Sequence, residues 1–80
     1  MKRITKEMLY KRIWEVQDLY NKKNIEACIC IQYKPCNIII ARKWVDKPIE
    51  PIRFKTYTEC YWWLYWYIKY FDEFNKELLK

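Results

Sequence analysis

The 80-residue chain contains no glycine, no histidine and no serine. These absences exclude a serine nucleophile, a histidine general base, a zinc site built on histidines and a glycine-rich phosphate loop. Because glycine is missing, any turn that needs a positive φ must use asparagine or aspartate. The carboxylates are scattered and form no recognisable acid–base pair. We therefore expect a protein without enzymatic activity and without a cofactor.

Long hydrophobic runs are also missing. The longest uncharged run, residues 60–68, has nine residues, whereas a membrane-spanning helix needs about 20. The N-terminus begins Met-Lys-Arg-Ile-Thr-Lys-Glu and lacks the apolar segment of a secretion signal. We therefore expect a cytoplasmic protein that does not cross a membrane, with its four cysteines reduced.

Hydrophobic periodicity predicts one α+β domain over residues 1–80 with the order α-β-β-β-α. Strands are predicted at residues 25–33, 38–45 and 49–55, joined by turns at 34–37 and 46–48. Consecutive isoleucines place the second strand at the centre of an antiparallel sheet, and Pro51 places the third at an edge. Both helices are expected to pack on one face of this sheet. The N-terminal helix should begin after Thr5, end near Asn24 and bury one stripe. That stripe consists of Leu9, Ile13, Val16 and Tyr20.

Residues 56–80 are predicted to form one long helix, which begins with a capping box of Thr56 and Glu59. Its buried stripe is expected to contain Cys60, Leu64, Tyr67, Phe71, Phe74 and Leu78. Trp62, Tyr65 and Trp66 lie on the opposite side. Either the first helix or a loop covers them, or they form an exposed anchor for a protein partner or a homodimer. The candidate protein-binding residues are Trp62, Tyr65, Trp66, Lys69, Tyr10 and Trp14.

Positive charge is concentrated before the aromatic helix. The net charge is +4 over residues 1–23, +3 over 24–55 and −1 over 56–80, which sums to +6. Two segments, residues 41–44 and 52–55, interleave cations with aromatic residues, as nucleic-acid-binding surfaces do. Ordinary basic edge strands have the same pattern. The candidate residues for nucleic acid or an acidic protein surface are Arg42, Lys43, Trp44, Arg53, Lys55, Lys2, Arg3 and Lys6.

The four cysteines do not predict a metal site. Cys28 and Cys30 are separated by one residue, whereas paired ligands of structural zinc sites are usually two to four residues apart. They should also lie on the outer face of the sheet, while Cys60 faces the helices. We expect ordinary thiols at all four positions, including Cys36.

The element order α-β-β-β-α is similar to that of double-stranded-RNA-binding domains. Those domains have a glycine- and proline-containing strand loop with a histidine, and a lysine cluster at the start of the last helix. Here the loop is Lys34-Pro-Cys-Asn37, and the helix begins Tyr57-Thr-Glu-Cys60. The residues that read RNA are therefore missing, and the resemblance implies the fold order without the function.

In size, glycine-poor composition and abundance of lysine and tyrosine, the chain also resembles the small inhibitors encoded by phages and mobile elements, of which anti-CRISPR proteins are the best-known class. No shared motif defines them. The resemblance implies a binding protein that acts on a host protein or nucleoprotein complex in the bacterial cytoplasm. The alternative is a small regulator that binds DNA or RNA directly, with an affinity that falls steeply as salt rises.

Overall fold

The computed structural model describes residues 3–43 and 51–76 of the chain. In this part of the chain a helix is followed by a three-stranded antiparallel sheet and then by two helical segments. The elements are α1 (Lys6–Lys22), β1 (Ala27–Tyr33), β2 (Cys36–Arg42), β3 (Ile52–Arg53), α2 (Tyr57–Lys69) and α3 (Phe71–Phe74). This order confirms the predicted α+β fold. Within the same residues, no helix has the length and hydropathy of a membrane span.

The helix α1 forms as predicted. The Thr5 hydroxyl accepts a hydrogen bond from the Met8 amide at 3.3 Å and caps the first turn. All four residues of the predicted stripe are buried. Asn24 follows the helix with a φ of 57°, which is the left-handed conformation. Glycine is the residue most often found in this conformation after the end of a helix.

The sheet has β2 at its centre, as predicted. Ile29 pairs with Ile40, and Ile31 pairs with Ile38, so that isoleucines from two strands form the face beneath the helices. Cys28 and Cys30 are exposed on the outer face. Because side chains alternate along a strand, this register separates a buried apolar face from an open one.

The predicted strand boundaries are wrong in four places. One of them is the end of β2, which falls at Arg42 rather than at residue 45, because Lys43 already lies in a turn. β1 begins at Ala27 rather than at residue 25, because the Ile25 amide donates to the Tyr20 carbonyl at 2.8 Å instead of joining the sheet. β2 already begins at Cys36, which pairs with Tyr33, so the turn consists of residues 34–35 alone. β3 consists only of Ile52–Arg53 among the described residues.

The predicted turn at 46–48, and residues 44, 45, 49 and 50 of the predicted strands, lie outside the described residues. Pro51 precedes β3, which pairs with β2 on one side and forms an edge of the sheet, as predicted.

The predicted single C-terminal helix is interrupted. α2 ends at Lys69, and Tyr70 has a non-helical ψ of 35°, after which α3 forms one short turn. Cys60, Leu64, Tyr67 and Phe71 are buried, as the stripe predicted. Phe74 is instead 57% exposed. Leu78 lies outside the described residues.

The interruption places the amide of Asn75 inside the protein, where Asn75 is 1% exposed. Asn75 Oδ1 accepts hydrogen bonds from Arg42 at 3.1 Å and from the Tyr67 hydroxyl at 3.2 Å. Asn75 Nδ2 donates to the Phe71 carbonyl at 2.9 Å. The Tyr67 hydroxyl also lies 2.6 Å from that of Tyr20. This buried network joins α1, β2, α2 and the segment after α3, and it satisfies the Asn75 side chain that the interruption brings inside.

The capping box of α2 forms with one change. The Glu59 amide donates to the Thr56 hydroxyl at 3.2 Å, as predicted. The Glu59 carboxylate accepts from the amide of Lys55 at 2.8 Å, one residue before the cap. The box therefore satisfies one amide in the first turn of α2 and fixes the short segment between β3 and α2.

Stability should fall at alkaline pH because two buried groups resist ionisation. Burial raises the pKa of Tyr20. The pKa of the Cys60 thiol is raised from 9.0 to about 12, mainly by burial and to a smaller extent by contact with Cys36. Above about pH 9 the unfolded chain loses the thiol proton while the folded chain keeps it, so the free energy of unfolding decreases as pH rises. Urea titrations between about pH 7 and about pH 11 should show this decline, with a contribution from Cys60 on the order of 2 kcal/mol.

The matched variants for this prediction are Cys60→Val, which cannot ionise, and Cys28→Val at an exposed thiol. The slope of stability against pH should become shallower in Cys60→Val and remain that of the wild type in Cys28→Val. Identical slopes in all three proteins would show that Cys60 does not contribute.

Candidate functional site

The helix α2 has more large apolar side chains than one face can bury. Its buried residues are Cys60, Leu64 and Tyr67, which pack against α1 and the isoleucine face of the sheet. On the opposite side Trp62 is 50% exposed and Trp66 is 47% exposed. Of the two interpretations of these indoles, the structure supports the exposed one in the isolated chain.

Five rings of α2 and of the residue that follows it contact one another in a continuous row, in which Trp62, Trp66 and Tyr70 are exposed and the other two are half-buried. This row is here called the aromatic ridge: Tyr61, Trp62, Tyr65, Trp66 and Tyr70. Successive ring centroids lie 5.7, 5.4, 5.3 and 5.8 Å apart. The first three contacts are edge-to-face, and Trp66 stacks on Tyr70 with 13° between their planes. These are favourable geometries for aromatic pairs, so each ring restricts its neighbours' rotamers.

A cation lies against each end of the aromatic ridge. Lys69 Nζ is 5.1 Å from the ring centroid of Trp66 and 5.8 Å from that of Tyr70. At the other end the Arg12 guanidinium lies 5.2 Å from the Tyr61 centroid and donates to the Tyr61 hydroxyl at 3.0 Å. This hydrogen bond, together with Glu15 at 3.1 Å, raises the pKa of Arg12. The described residues give Lys69 no carboxylate partner, so this cation can meet an acidic group on a partner, whereas Arg12 is already paired with Glu15.

The structure does not bring Tyr10 and Trp14 to the aromatic ridge. Their rings form an edge-to-face pair with centroids 6.0 Å apart, and they are 52% and 58% exposed. On α1 they project from the flank that carries Gln17, whose side chain bonds the backbone of β1. Arg12, which contacts α2, projects from the other flank. The six predicted protein-binding residues therefore form two separate surfaces.

Tyr10 and Trp14 stand over a cavity of about 320 Å³ between α1 and β1, here called the edge groove. Its other lining residues come from α1 and β1 and carry no formal charge: Ile13, Gln17, Ile29, Cys30, Ile31 and Tyr33. The edge groove therefore suits apolar or backbone contacts better than a charged ligand.

The predicted basic residues near the end of β2 are engaged with neighbours. Arg42 is half-buried and bonds Asn75 Oδ1, so its charge serves the interior network. Lys43 forms an ion pair with Glu26 at 3.3 Å. Trp44 lies outside the described residues. These contacts reduce the positive charge that this strand presents to a partner.

The other predicted basic residues are dispersed. Arg53 and Lys55 are exposed beside the edge strand β3. Arg3 and Lys6 are exposed at the start of α1, where Lys6 Nζ lies 5.3 Å from the Tyr33 ring centroid. Lys2 lies outside the described residues. The cations thus occupy different parts of the fold, although the total charge is +6.

The cysteines occupy two environments, of which the strand pattern predicted the outer one for Cys28 and Cys30. Cys28 and Cys30 are exposed, whereas Cys36 and Cys60 are buried. Within the part of the chain that the structure describes, no three side chains of the histidine, cysteine, aspartate or glutamate type are grouped so as to bind a metal ion.

Sequence reasoning missed two members of the aromatic ridge, Tyr61 and Tyr70. The signal was present in part, because Trp66 and Tyr70 are four residues apart and face the same side of a helix. Tyr61 is adjacent to Trp62 in the sequence, and its position in the helix did not show whether its ring lies on the buried or the exposed side. The edge groove had a signal as well, since residues 27–33 contain no charge.

Compared with protein-family models, curated proteins and solved structures, the chain matches none of them. The interpretation of the two surfaces therefore depends on their chemistry alone.

Proposed function

We propose that this chain is a non-enzymatic binding protein that docks on a protein partner through the aromatic ridge. The observation that supports the proposal most directly is that two indoles, Trp62 and Trp66, are half-exposed and belong to one continuous row of ring contacts. Tryptophan, tyrosine and arginine are the residues that most often dominate the energy of protein–protein interfaces.

The ridge is suited to binding because its rings are already ordered. Side-chain ordering at an interface costs about 0.5–1.5 kcal/mol for each flexible side chain. In the ridge each ring has at least one ring neighbour within 5.8 Å, so part of this cost is met within the folded chain. A partner with an apolar groove would gain the burial of the indoles with little further loss of entropy.

The ends of the ridge indicate the chemistry of the partner. Lys69 flanks the rings at one end without a carboxylate partner among the described residues, whereas Arg12 at the other end is paired with Glu15. A complementary partner therefore has an apolar or aromatic groove with carboxylates or phosphates at its rim. The nucleic acid of a nucleoprotein complex would supply phosphates at such a rim, so this chemistry suits a phage-type inhibitor of a bacterial nucleoprotein complex, the class that the composition resembles.

A direct regulator of DNA or RNA remains the second candidate. It is favoured by the exposed Arg53 and Lys55, for which no acidic partner is recorded among the described residues, and by the net charge of +6. The dispersion of the remaining cations is a weaker basis for a binding surface than the continuous aromatic ridge.

The test is affinity capture from a bacterial host lysate, with and without nuclease. We expect the wild type to retain a protein after nuclease treatment and a Trp62→Ala, Trp66→Ala double variant to lose it. A Trp14→Ala variant removes an equally exposed indole from the other surface and should capture the same partner. Circular dichroism of each variant checks that the fold is intact.

Two outcomes would overturn the proposal. If the folded double variant captured the partner as well as the wild type, the ridge would not be the docking surface. If only nucleic acid were recovered, and binding declined steeply with salt, direct nucleic-acid binding would replace it.

A further inference from the structure

The strand β1 is an edge of the sheet, and some of the backbone N–H and C=O groups on its unpaired side have no partner among the described residues. The sheet order is β1-β2-β3, so only one side of β1 is paired. Backbone groups of alternate residues point to opposite sides of a strand. The Lys43 amide donates to the Glu26 carbonyl at 3.1 Å. The backbone groups of the even-numbered residues of this segment therefore point toward β2.

The backbone N–H and C=O groups of the odd-numbered residues of β1 therefore point away from β2, in the plane of the sheet. The hydrogen bonds of Gln17 confirm this directly. Its side-chain amide donates to the Ala27 carbonyl at 3.1 Å and accepts from the Ile29 amide at 3.2 Å. Gln17 thus caps the first part of the edge. Beyond it the carbonyl of Ile29, both backbone groups of Ile31 and the amide of Tyr33 point outward, and within residues 3–43 and 51–76 nothing is recorded that bonds them.

This edge also lacks the usual protection against pairing. Edge strands are commonly protected by charged side chains, a proline or a bulge. Residues 27–33 contain none of the charged residue types and no proline. The uncharged edge groove runs beside this open segment, with Tyr10 and Trp14 standing over it.

We propose that β1 pairs with β1 of a second copy of this chain, antiparallel and around a two-fold axis at Ile31. In this register the Ile31 amide of each copy donates to the Ile31 carbonyl of the other. The Tyr33 amide of each copy donates to the Ile29 carbonyl of the other. The Ile29 carbonyl, both backbone groups of Ile31 and the Tyr33 amide then have partners, and the two three-stranded sheets become one continuous sheet.

The ends of the segment match this register. Ala27, whose carbonyl is already taken by Gln17, lies opposite residue 35 of the other copy. That residue is Pro35, which has no N–H to leave unpaired. The chain also turns toward β2 after Tyr33, which leaves room for the Gln17 side chain of the other copy. A register shifted toward Ala27 would instead compete with Gln17 for the same backbone groups.

Charge favours a second copy over a strongly charged peptide. The groove and the paired segment are uncharged, so two chains with a net charge of +6 do not bring like charges together there. Lys6 lies against Tyr33 at one end of the segment. The antiparallel arrangement places it beside the end of α1 in the other copy that carries Gln17, and keeps the two Lys6 side chains apart.

The dimer can be tested on the wild-type protein, independently of any partner of the aromatic ridge. Sedimentation should show a species of about twice 10.2 kDa that forms with increasing concentration. Amide hydrogen exchange gives the site: protection of Ile31 and Tyr33 should increase with concentration. The Ile29 amide is bonded by Gln17 within one copy, so its protection should not depend on concentration in the same way.

A charge variant tests the register. In the proposed dimer Cys30 of one copy lies opposite Gln32 of the other on the exposed outer face. A Cys30→Lys, Gln32→Lys variant places like charges opposite each other twice, and should raise the dissociation constant of the dimer roughly tenfold. An Asp72→Asn, Glu73→Gln variant changes the net charge by the same amount on the distant, exposed α3, and should dimerise as the wild type does.

The proposal is overturned if the wild type stays monomeric while Ile31 and Tyr33 exchange equally at all concentrations. It is also overturned if a dimer forms but is unaffected by the lysine pair, because another surface such as the aromatic ridge would then be responsible. Concentration-independent exchange that slows only when an extended peptide is added would assign the edge to a different protein.

Discussion

Replacing Asn75 with leucine is expected to lower the free energy of unfolding by about 3 kcal/mol, although the two side chains are similar in size. The substitution removes the acceptor for Arg42 and for the Tyr67 hydroxyl, and the donor to the Phe71 carbonyl. A buried polar group without a partner costs about 1–3 kcal/mol, and a charged one costs more. Urea denaturation at neutral pH measures the difference directly.

The control for this prediction is Asn21→Leu, since Asn21 is exposed and accepts only a 3.3 Å contact from Gln17. It should change stability by about 0.5 kcal/mol or less. A second variant tests the mechanism: Arg42→Met combined with Asn75→Leu removes both partners, and should be less destabilised than the sum of the single variants. Equal stability of Asn75→Leu and wild type would mean that the network does not stabilise the fold.

Asn75 also shows why the C-terminal helix was predicted to be longer than it is. Cys60, Leu64, Tyr67 and Phe71 recur at helical spacing, and this local periodicity was sufficient to predict their burial. The break after Lys69 accompanies a hydrogen bond between Arg42 and Asn75, which are 33 residues apart. Nothing within the helix sequence, which lacks glycine and proline here, signals that contact.

The sheet was predicted where the pattern is local and missed where it depends on pairing. The alternation of Ala27, Ile29 and Ile31 with Cys28 and Cys30 defined the two faces of β1 correctly. The extent of the hairpin was misjudged because an asparagine after Pro35 was interpreted as a turn residue. Residue 37 instead pairs within the sheet, opposite residue 32.

The candidate site was predictable in its chemistry and not in its arrangement. The spacing of Trp62, Tyr65 and Trp66 indicated a surplus of aromatic surface, and exposure could only be decided once α1 was placed. The helices meet through Arg12 and Tyr61, so α1 supports one end of the aromatic ridge without covering it. The same placement separates Trp14 from the ridge.

For the predicted basic surface, residue type alone predicts more nucleic-acid contacts than the fold makes available. Arg42 and Lys43 stand in a sequence pattern typical of nucleic-acid contacts. In the fold Arg42 is directed to Asn75, and Lys43 pairs with Glu26. Charge that is used within the protein contributes less to a partner, and this is why the aromatic ridge is the stronger candidate.

Single substitutions in the ridge are expected to have the largest effect of all on partner binding. Trp62→Ala and Trp66→Ala should each raise the dissociation constant for the captured partner by about 30-fold, which corresponds to about 2 kcal/mol at an interface hot spot. Trp66→Phe keeps a ring between Tyr65 and Tyr70 and should lose less. Titration calorimetry with the purified partner measures each value.

Lys69 and Trp14 give the contrasts that make this prediction specific. Lys69→Met removes the cation near Trp66, and should weaken binding mainly at low salt, because an exposed charge acts over a distance that salt shortens. Trp14→Ala removes an indole with 58% exposure from the edge groove, and should leave the dissociation constant within about twofold. If Trp14→Ala weakened binding as much as Trp66→Ala, the partner would occupy the groove as well, and the two surfaces would have to be considered one interface.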